Sequence, residues 1–543
     1  MSIRTPHRHA SESPPMRLAL AVILALSLAM PALAAPDADA PPAPHGVLFQ
    51  PTETVTAGSV TVGGQRIAYH AHAGTLVVHG KDWSDTDGLD PASVDEKAEA
   101  PAQASMFYVA YLKDGAPAAG RPITFLFNGG PGSSSVWLHM GAYGPMRVVT
   151  LDRQPTPAAP YRLVENDQSL LDVSDLVFVD APGTGFSRIA GKEADKAFYG
   201  VDQDIHAFTD FITQFLGKYD RWNSPKYIFG ESYGTMRAAG LTLALQEKDV
   251  ALNGVIMLSD ILNWDLIPDD PQLNPAIDLP YVVSLPTYAA TAWYHSRIPN
   301  RPEALRPFLD EVEAFATGDY ALALMKGNLL TDAERQGIAQ RLAGYTGLPV
   351  DYLLRTNLRI EYGALQQQLL LDQGLTTGTL DTRFTGATLD PLEKTSGYDP
   401  QGSAIGAAYV GAFNQYVRER LNYGRDRQFL SGIEVYGSWD YRHQPPGAYK
   451  PMIALPNVLP DLAVAMKRDP GMKLLVTGGY FDISTPYFAG RFELRHLPIP
   501  PELQGNIEYR YFEAGHMVYV NPQAMHEMRD TVADFIRRTD NLG

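Results

Sequence analysis

Three residues far apart in the chain have the types needed for nucleophilic acyl chemistry: Ser232, Asp482 and His516, in that order. Ser232 lies in Gly230-Glu231-Ser232-Tyr233-Gly234, a G-x-S-x-G pattern. Such a pattern predicts a sharp strand-to-helix turn that holds the serine in a strained conformation with its hydroxyl exposed. A serine hydroxyl is a weak nucleophile until an imidazole takes its proton. A carboxylate then fixes the tautomer of that imidazole and stabilises its cation. Asp482 follows the apolar run Lys473–Thr477, and His516 follows Ile507–Phe512, which places both on loops at strand ends. Asp180 and Asp260 also end apolar runs, and Asp260 is the main rival for the acid. His139, His295, His443, His496 and His526 read as surface or packing residues.

A tetrahedral intermediate needs two N–H donors for its oxyanion. Asn128-Gly129-Gly130-Pro131-Gly132 follows the run Ile123–Phe127, and its backbone is free to supply one. The residue after the nucleophile supplies the other. The candidates are the N–H groups of Gly130 and Tyr233. A phosphate-binding loop is excluded, because no Gly-Lys-Ser/Thr follows and Pro131 has no N–H. Neither H-x₃-H nor H-E-x-x-H occurs, so neither a metal nor another cofactor is expected.

These residues need a rigid scaffold, and the hydrophobic pattern supplies one. Ser59–Val62, Gln65–His70 and Thr75–Val78 read as strands, with Gly63-Gly64 as a two-residue hairpin turn. Met106–Leu112 reads as a further strand. Then Ile123–Phe127, Leu176–Val179, Lys226–Phe229 and Val255–Leu258 alternate with helical stretches such as Asp202–Tyr219 and Thr235–Lys248. This is the pattern of a mainly parallel sheet covered on both faces. The alternation stops near Asn263 and resumes at Lys473, and Pro522–Arg538 reads as a closing helix. The reading is an α/β core in two parts, 58–263 and 451–543, with a mostly helical cap inserted over 264–450.

Ahead of the core, Arg4, Arg8 and Arg17 precede an apolar run from Leu18 to Met30 and then Pro31-Ala32-Leu33-Ala34. That is the pattern of a secretory signal peptide over 1–34, cut after Ala34. The run is shorter than the ~20 residues of a membrane span, so no membrane association is expected after its removal. Residues 35–57, rich in Ala, Pro and Asp, read as a flexible leader. The chain has no cysteine, which excludes disulfides and thiolate chemistry. Export without cysteine fits a bacterial periplasmic or secreted protein. A formal charge of −17 argues against nucleic acid as a partner. Oligomeric state is not legible.

Four ordered blocks now resemble the serine carboxypeptidase family, peptidase family S10. They are Asn128–Ser134 (N-G-G-P-G-S-S), Phe178–Ser187 (F-V-D-A-P-G-T-G-F-S), Gly230–Gly234 (G-E-S-Y-G) and Ala514–Met517 (A-G-H-M), with Gly479–Asp482 a looser match. The resemblance implies the α/β-hydrolase fold. It also implies release of C-terminal residues from peptides with a free C-terminus, through an acyl-enzyme on Ser232, Asp482 and His516. It places the substrate carboxylate on Asn128, Gly129 and Glu231. A carboxyl facing a carboxylate requires one of them to be protonated, which favours acid. The chain departs from the family pattern where a second glutamate falls on Ala142 and the cysteine of the Gly-rich block falls on Ser133. Its Asp-to-His spacing is also shorter than the family's. The same triad serves esterases, amidases and acyltransferases, whereas a binding protein would need none of this machinery. The cap, with Trp137, Tyr143, Tyr233 and Met517, contains the candidates for lining a substrate pocket.

Overall fold

The alternating residues of the first strands produce a twisted antiparallel edge. A computed structural model describes residues 48–81, 83, 100–267, 274–452 and 454–542. The expected signal peptide and most of the expected leader lie outside the described residues. Strand β1 (Glu53–Val62) begins inside the stretch expected to be leader, because Thr54, Val55 and Thr56 pair with β2 (Gln65–His79). Gly63 and Gly64 join the two with φ of 55° and 80°, the positive pair that a tight hairpin turn requires. Ile67, Tyr69, Ala71 and Ala73 alternate inward along β2. That strand runs unbroken through Thr75–Val78, where two separate strands were expected. Ala71–Gly74 is too small to read as a strand but pairs on both sides.

The other long strands of this sheet are β3 (Gln103–Lys113), β4 (Ile123–Phe127), β5 (Asp175–Val179), β6 (Lys226–Glu231), β7 (Gly254–Leu258), β8 (Lys473–Gly479) and β9 (Ile507–Phe512). They lie in the order β1-β2-β3-β5-β4-β6-β7-β8-β9, with the short strand Arg188–Ala190 beside β3. Pairs from β5 to β9 are parallel, and those from β1 to β5 are antiparallel. This is the α/β-hydrolase fold. The period of two sorts side chains onto two covered faces. Phe107, Val109 and Tyr111 of β3 join one apolar cluster with helix Pro522–Thr539 and helix Pro400–Glu419. Met106, Tyr108 and Ala110 join the other, with Phe208, Phe211 and Phe215 of helix Val201–Lys218.

Between β7 and β8 the chain is mostly helical. Leu279–Tyr294, Leu305–Phe315 and Asp332–Thr346 bury a third apolar cluster that includes Phe481 and Tyr487. Thr331 and Glu334 form a capping box at the start of the last of these helices. Helix Pro400–Glu419 instead returns to the sheet, with Ile405, Tyr409 and Phe413 packed against it. Beyond it, the segment from Leu430 to Tyr436 straps the Gly-rich loop from outside. Ile433 N–H donates to Gly132 O at 2.8 Å, Ser134 N–H to Ser431 O at 3.0 Å, and Tyr436 Oη to Gly130 O at 3.0 Å. No helix among the described residues is long and apolar enough to cross a membrane.

Candidate active site

Ser232 stands between β6 and helix Tyr233–Gln246 with φ 62° and ψ −133°. An L-residue reaches that region only when its surroundings over-determine it. Ser232 N–H donates to Leu258 O at 3.0 Å, while its carbonyl accepts from Thr235 N–H at 2.8 Å and Thr235 Oγ1 at 2.7 Å. Tyr233 begins the helix, so its N–H is one of the donors a helix start leaves without an internal partner.

The Gly-rich loop lies directly over that donor. A Cβ on Gly129 would stand 2.4 Å from Gly234 N and 2.5 Å from Tyr233 N. Only glycine therefore leaves the space in front of these N–H groups open. Gly130, with φ 105°, is adjacent. The loop is anchored from below by Arg237, which is fully buried and donates to Asn128 O at 2.8 Å. Arg237 also pairs with buried Asp204 at 2.7 Å and lies over the Phe208 ring at 4.1 Å. Asn128 Oδ1 accepts from Leu138 N–H at 3.0 Å.

Asp482 and His516 meet at the ends of β8 and β9. His516 Nδ1 is 2.7 Å from Asp482 Oδ2. Asp482 also accepts from the N–H groups of Ser484 and Thr485 at 2.9 and 3.0 Å and from Thr485 Oγ1 at 2.7 Å, which fixes the carboxylate plane. Burial alone would lower His516. The Asp482 carboxylate, then Glu231 and Asp399, outweigh it and raise the imidazole above its ordinary value. The insertion holds both loops: His516 N–H donates to Leu380 O at 2.6 Å, and Thr382 N–H to Phe481 O at 2.9 Å. Ser259, next to the residue that binds Ser232 N–H, donates its hydroxyl to His516 O at 2.8 Å. These bonds bring His516 to the Ser232 side of the sheet edge. Among the described residues, no hydrogen bond joins Ser232 Oγ to His516; contacts of this kind tighten in the substrate complex.

The rival acids lie elsewhere. Asp260 packs against Gly490 and Asp180 against Gly185, and neither bonds His516. Burial pushes both up to about 7. Glu231 is buried beside the nucleophile, and Tyr519 Oη donates to its two oxygens at 3.0 and 2.9 Å. Burial pushes Glu231 up to about 7, opposed by His516, Tyr519 and Asn128. Ala142 is buried in the turn Leu138–Tyr143 and offers only a methyl. The side chains of Tyr143, Tyr233 and Met517 are core, whereas Trp137 is only partly buried and donates to Ser133 Oγ at 3.0 Å.

Sequence reading missed four contributors: Thr485, Arg237 with Asp204, the Leu380–Arg383 loop and Tyr519. A charged residue on the apolar face of the helix after the nucleophile was a usable signal for Arg237. No signal pointed to the others, since their partners are remote in sequence. His443, read as packing, bridges Asp202 at 2.6 Å and Asp461 at 2.8 Å. Among the described residues no group of three or more His, Cys, Asp or Glu converges to hold a metal.

Residues 96–259 match the serine carboxypeptidase family, Peptidase_S10. That stretch holds the Gly-rich loop, β6, Ser232 and β7. The chain is 34% identical over 137 residues to a carboxypeptidase Y homolog of Arthroderma benhamiae, covering 25% of each. It is 32% identical over 141 residues to the pheromone-processing carboxypeptidase KEX1 of Yarrowia lipolytica, covering 25% of this chain and 21% of that one. The matched stretches thus span about a quarter or less of these relatives' length. Among solved structures, the prohormone-processing carboxypeptidase KEX1(delta)p of Saccharomyces cerevisiae is similar with a TM-score of 0.51 at 14% identity, covering 87% of this chain and 91% of that one. At that identity the likeness concerns the fold.

Proposed function

We propose that the chain is an exported serine-type carboxypeptidase that releases C-terminal residues from peptides through an acyl-enzyme. Ser232 Oγ attacks the scissile carbonyl as His516 takes its proton, and the Gly130 and Tyr233 N–H groups receive the oxyanion. His516, steadied by Asp482, then protonates the leaving amine, and water repeats the sequence on the ester. The family match over 96–259 and the His516–Asp482 contact support this reading.

The observation that carries carboxypeptidase over general esterase is Glu231. A buried carboxyl pushed up to about 7 stays neutral in mild acid and then donates a hydrogen bond to a substrate carboxylate. Asn128 and Gly129 complete the site. Ala142, with no polar group to offer, favours the second reading, an esterase or amidase indifferent to a free C-terminus.

Paired pH profiles of KM, for free-acid and C-terminally amidated peptides, separate the two. For the acid, KM is expected to rise as Glu231 ionises around pH 7; for the amide it stays flat. Glu231→Gln flattens the acid profile by providing a permanent donor. Equal cleavage of acid and amide at every pH would assign the chain to the second reading.

A further inference from the structure

The Tyr519 phenol sits on both oxygens of Glu231, at 3.0 and 2.9 Å, with both residues buried. The opposite wall makes room for it. A Cβ on Gly141 would meet the Tyr519 ring at 2.7 Å and the Tyr409 hydroxyl at 2.4 Å, and Ala142 beside it adds only a methyl. The turn after the Gly-rich loop therefore offers Glu231 no polar side chain from these positions, and a residue just past His516 supplies one.

We propose that Tyr519 is the positioning residue of Glu231: its hydroxyl, within reach of both carboxyl oxygens, donates to whichever is unprotonated and so fixes the place and plane of the carboxyl beside the nucleophile. The effect on peptide binding rests on the carboxypeptidase reading. The Tyr519–Glu231 coupling does not.

The groups that face Glu231 come from several elements. Asn128 belongs to the Gly-rich loop, Tyr143 to the turn, Tyr409 to helix Pro400–Glu419, Asp482 to the loop after β8, and His516 and Tyr519 to the loop after β9. The cations beyond them, Arg529 near Tyr143 and Arg147 near Tyr409, act on those phenols. Tyr519 hydrogen-bonds Glu231, and it and the nearby Asn128 favour the ionised form against burial. Loss of the Tyr519 hydroxyl therefore makes Glu231 hold its proton to higher pH. A tyrosine that merely filled space would leave that titration where it is.

The test is an infrared pH titration of the protonated carboxyl band of Glu231, identified by its disappearance in Glu231→Gln. Wild type is compared with Tyr519→Phe, which keeps the ring and its volume. The midpoint is expected to rise by about one pH unit, the worth of one hydrogen bond to a charged group. An unchanged or lowered midpoint overturns the proposal. The pH at which KM rises for free-acid peptides should move upward in step. If the band moves while acid and amide peptides are cleaved alike, the carboxypeptidase reading fails and the positioning role stands.

Discussion

At the scale of single residues, the site separates two acids that the sequence left in competition. Asp482 contacts His516 Nδ1 and is held by three further donors, whereas Asp260 Oδ2 has no hydrogen-bond partner among the described residues. Asp482→Asn is accordingly expected to lower kcat by about 10³–10⁴-fold, by selecting the wrong imidazole tautomer. Asp260→Asn should stay within a few-fold of wild type. Steady-state kinetics on one ester substrate decides this, and a reversal of the two would remove Asp482 from the proposed triad. Glu231 also acts on His516 through its charge, which raises the imidazole. Glu231→Gln should therefore shift the rising limb of the kcat–pH profile for esters toward lower pH. A shift in the opposite direction would mean that the two groups do not share a field.

At the scale of elements, the contact between the Gly-rich loop and the helix after Ser232 is held by one guanidinium. Arg237→Met leaves Asp204 buried without its partner and should cost about 3–5 kcal/mol in urea unfolding. Replacing Asp204 by Leu as well should recover most of that stability. Activity should stay low in the double variant, because Asn128 O still lacks its donor. Recovery of both together would make Arg237 a stability residue only. Much at this scale was legible. Ile123–Phe127 and Ile507–Phe512 have the predicted bounds, because short apolar runs bounded by Gly, Pro or polar residues have few alternatives. The order of Ser, Asp and His was also visible, since each lies at a strand end. The strap at Leu430–Tyr436 was not, because two of its bonds join backbone atoms and the third runs from the Tyr436 phenol to a backbone oxygen 306 positions away, which leaves no trace in residue type. The Tyr519–Glu231 contact was hidden likewise, because its partners stand 288 positions apart.

At the scale of the whole molecule, the buried ionisable groups set a pH range for stability. Asp180, Glu231 and Asp260 are each pushed up to about 7 by burial, and Glu493, beside Asp260, higher than its ordinary range. A carboxyl whose folded value is raised stabilises fully below its unfolded value near 4, and that stability is lost as pH rises through 7. His443 adds to the trend. Burial opposes its charge, but Asp202 and Asp461 raise it to about 9, so its contribution fades as pH rises from its unfolded value through 9. His139 acts the other way: burial lowers it to about 3, so its contribution is lost as pH falls below 6.5. Below 6.5 the two kinds of group oppose each other, and above it only losses remain. Tm should therefore decline steadily from pH 6.5 to 9. Asp260→Asn should be more stable than wild type at pH 8 and not at pH 5. A flat Tm over that range would contradict the assignment of these buried charges.

The strap across the Gly-rich loop carries a kinetic consequence. Ser431, Ile433 and Tyr436 close their bonds on Gly130, Gly132 and Ser134 from a segment that itself lies near the surface, with Tyr436 half exposed. The Ser134 amide of the loop and the Ile433 amide of the strap cannot exchange until the strap lifts, so the two segments should open as one cooperative unit. In native-state hydrogen exchange, the amides of Ser134 and Ile433 would then share a single opening free energy, below that of the β4–β6 ladder. A nick by protease between Gly424 and Gly437 would release that unit while leaving the parallel strands protected.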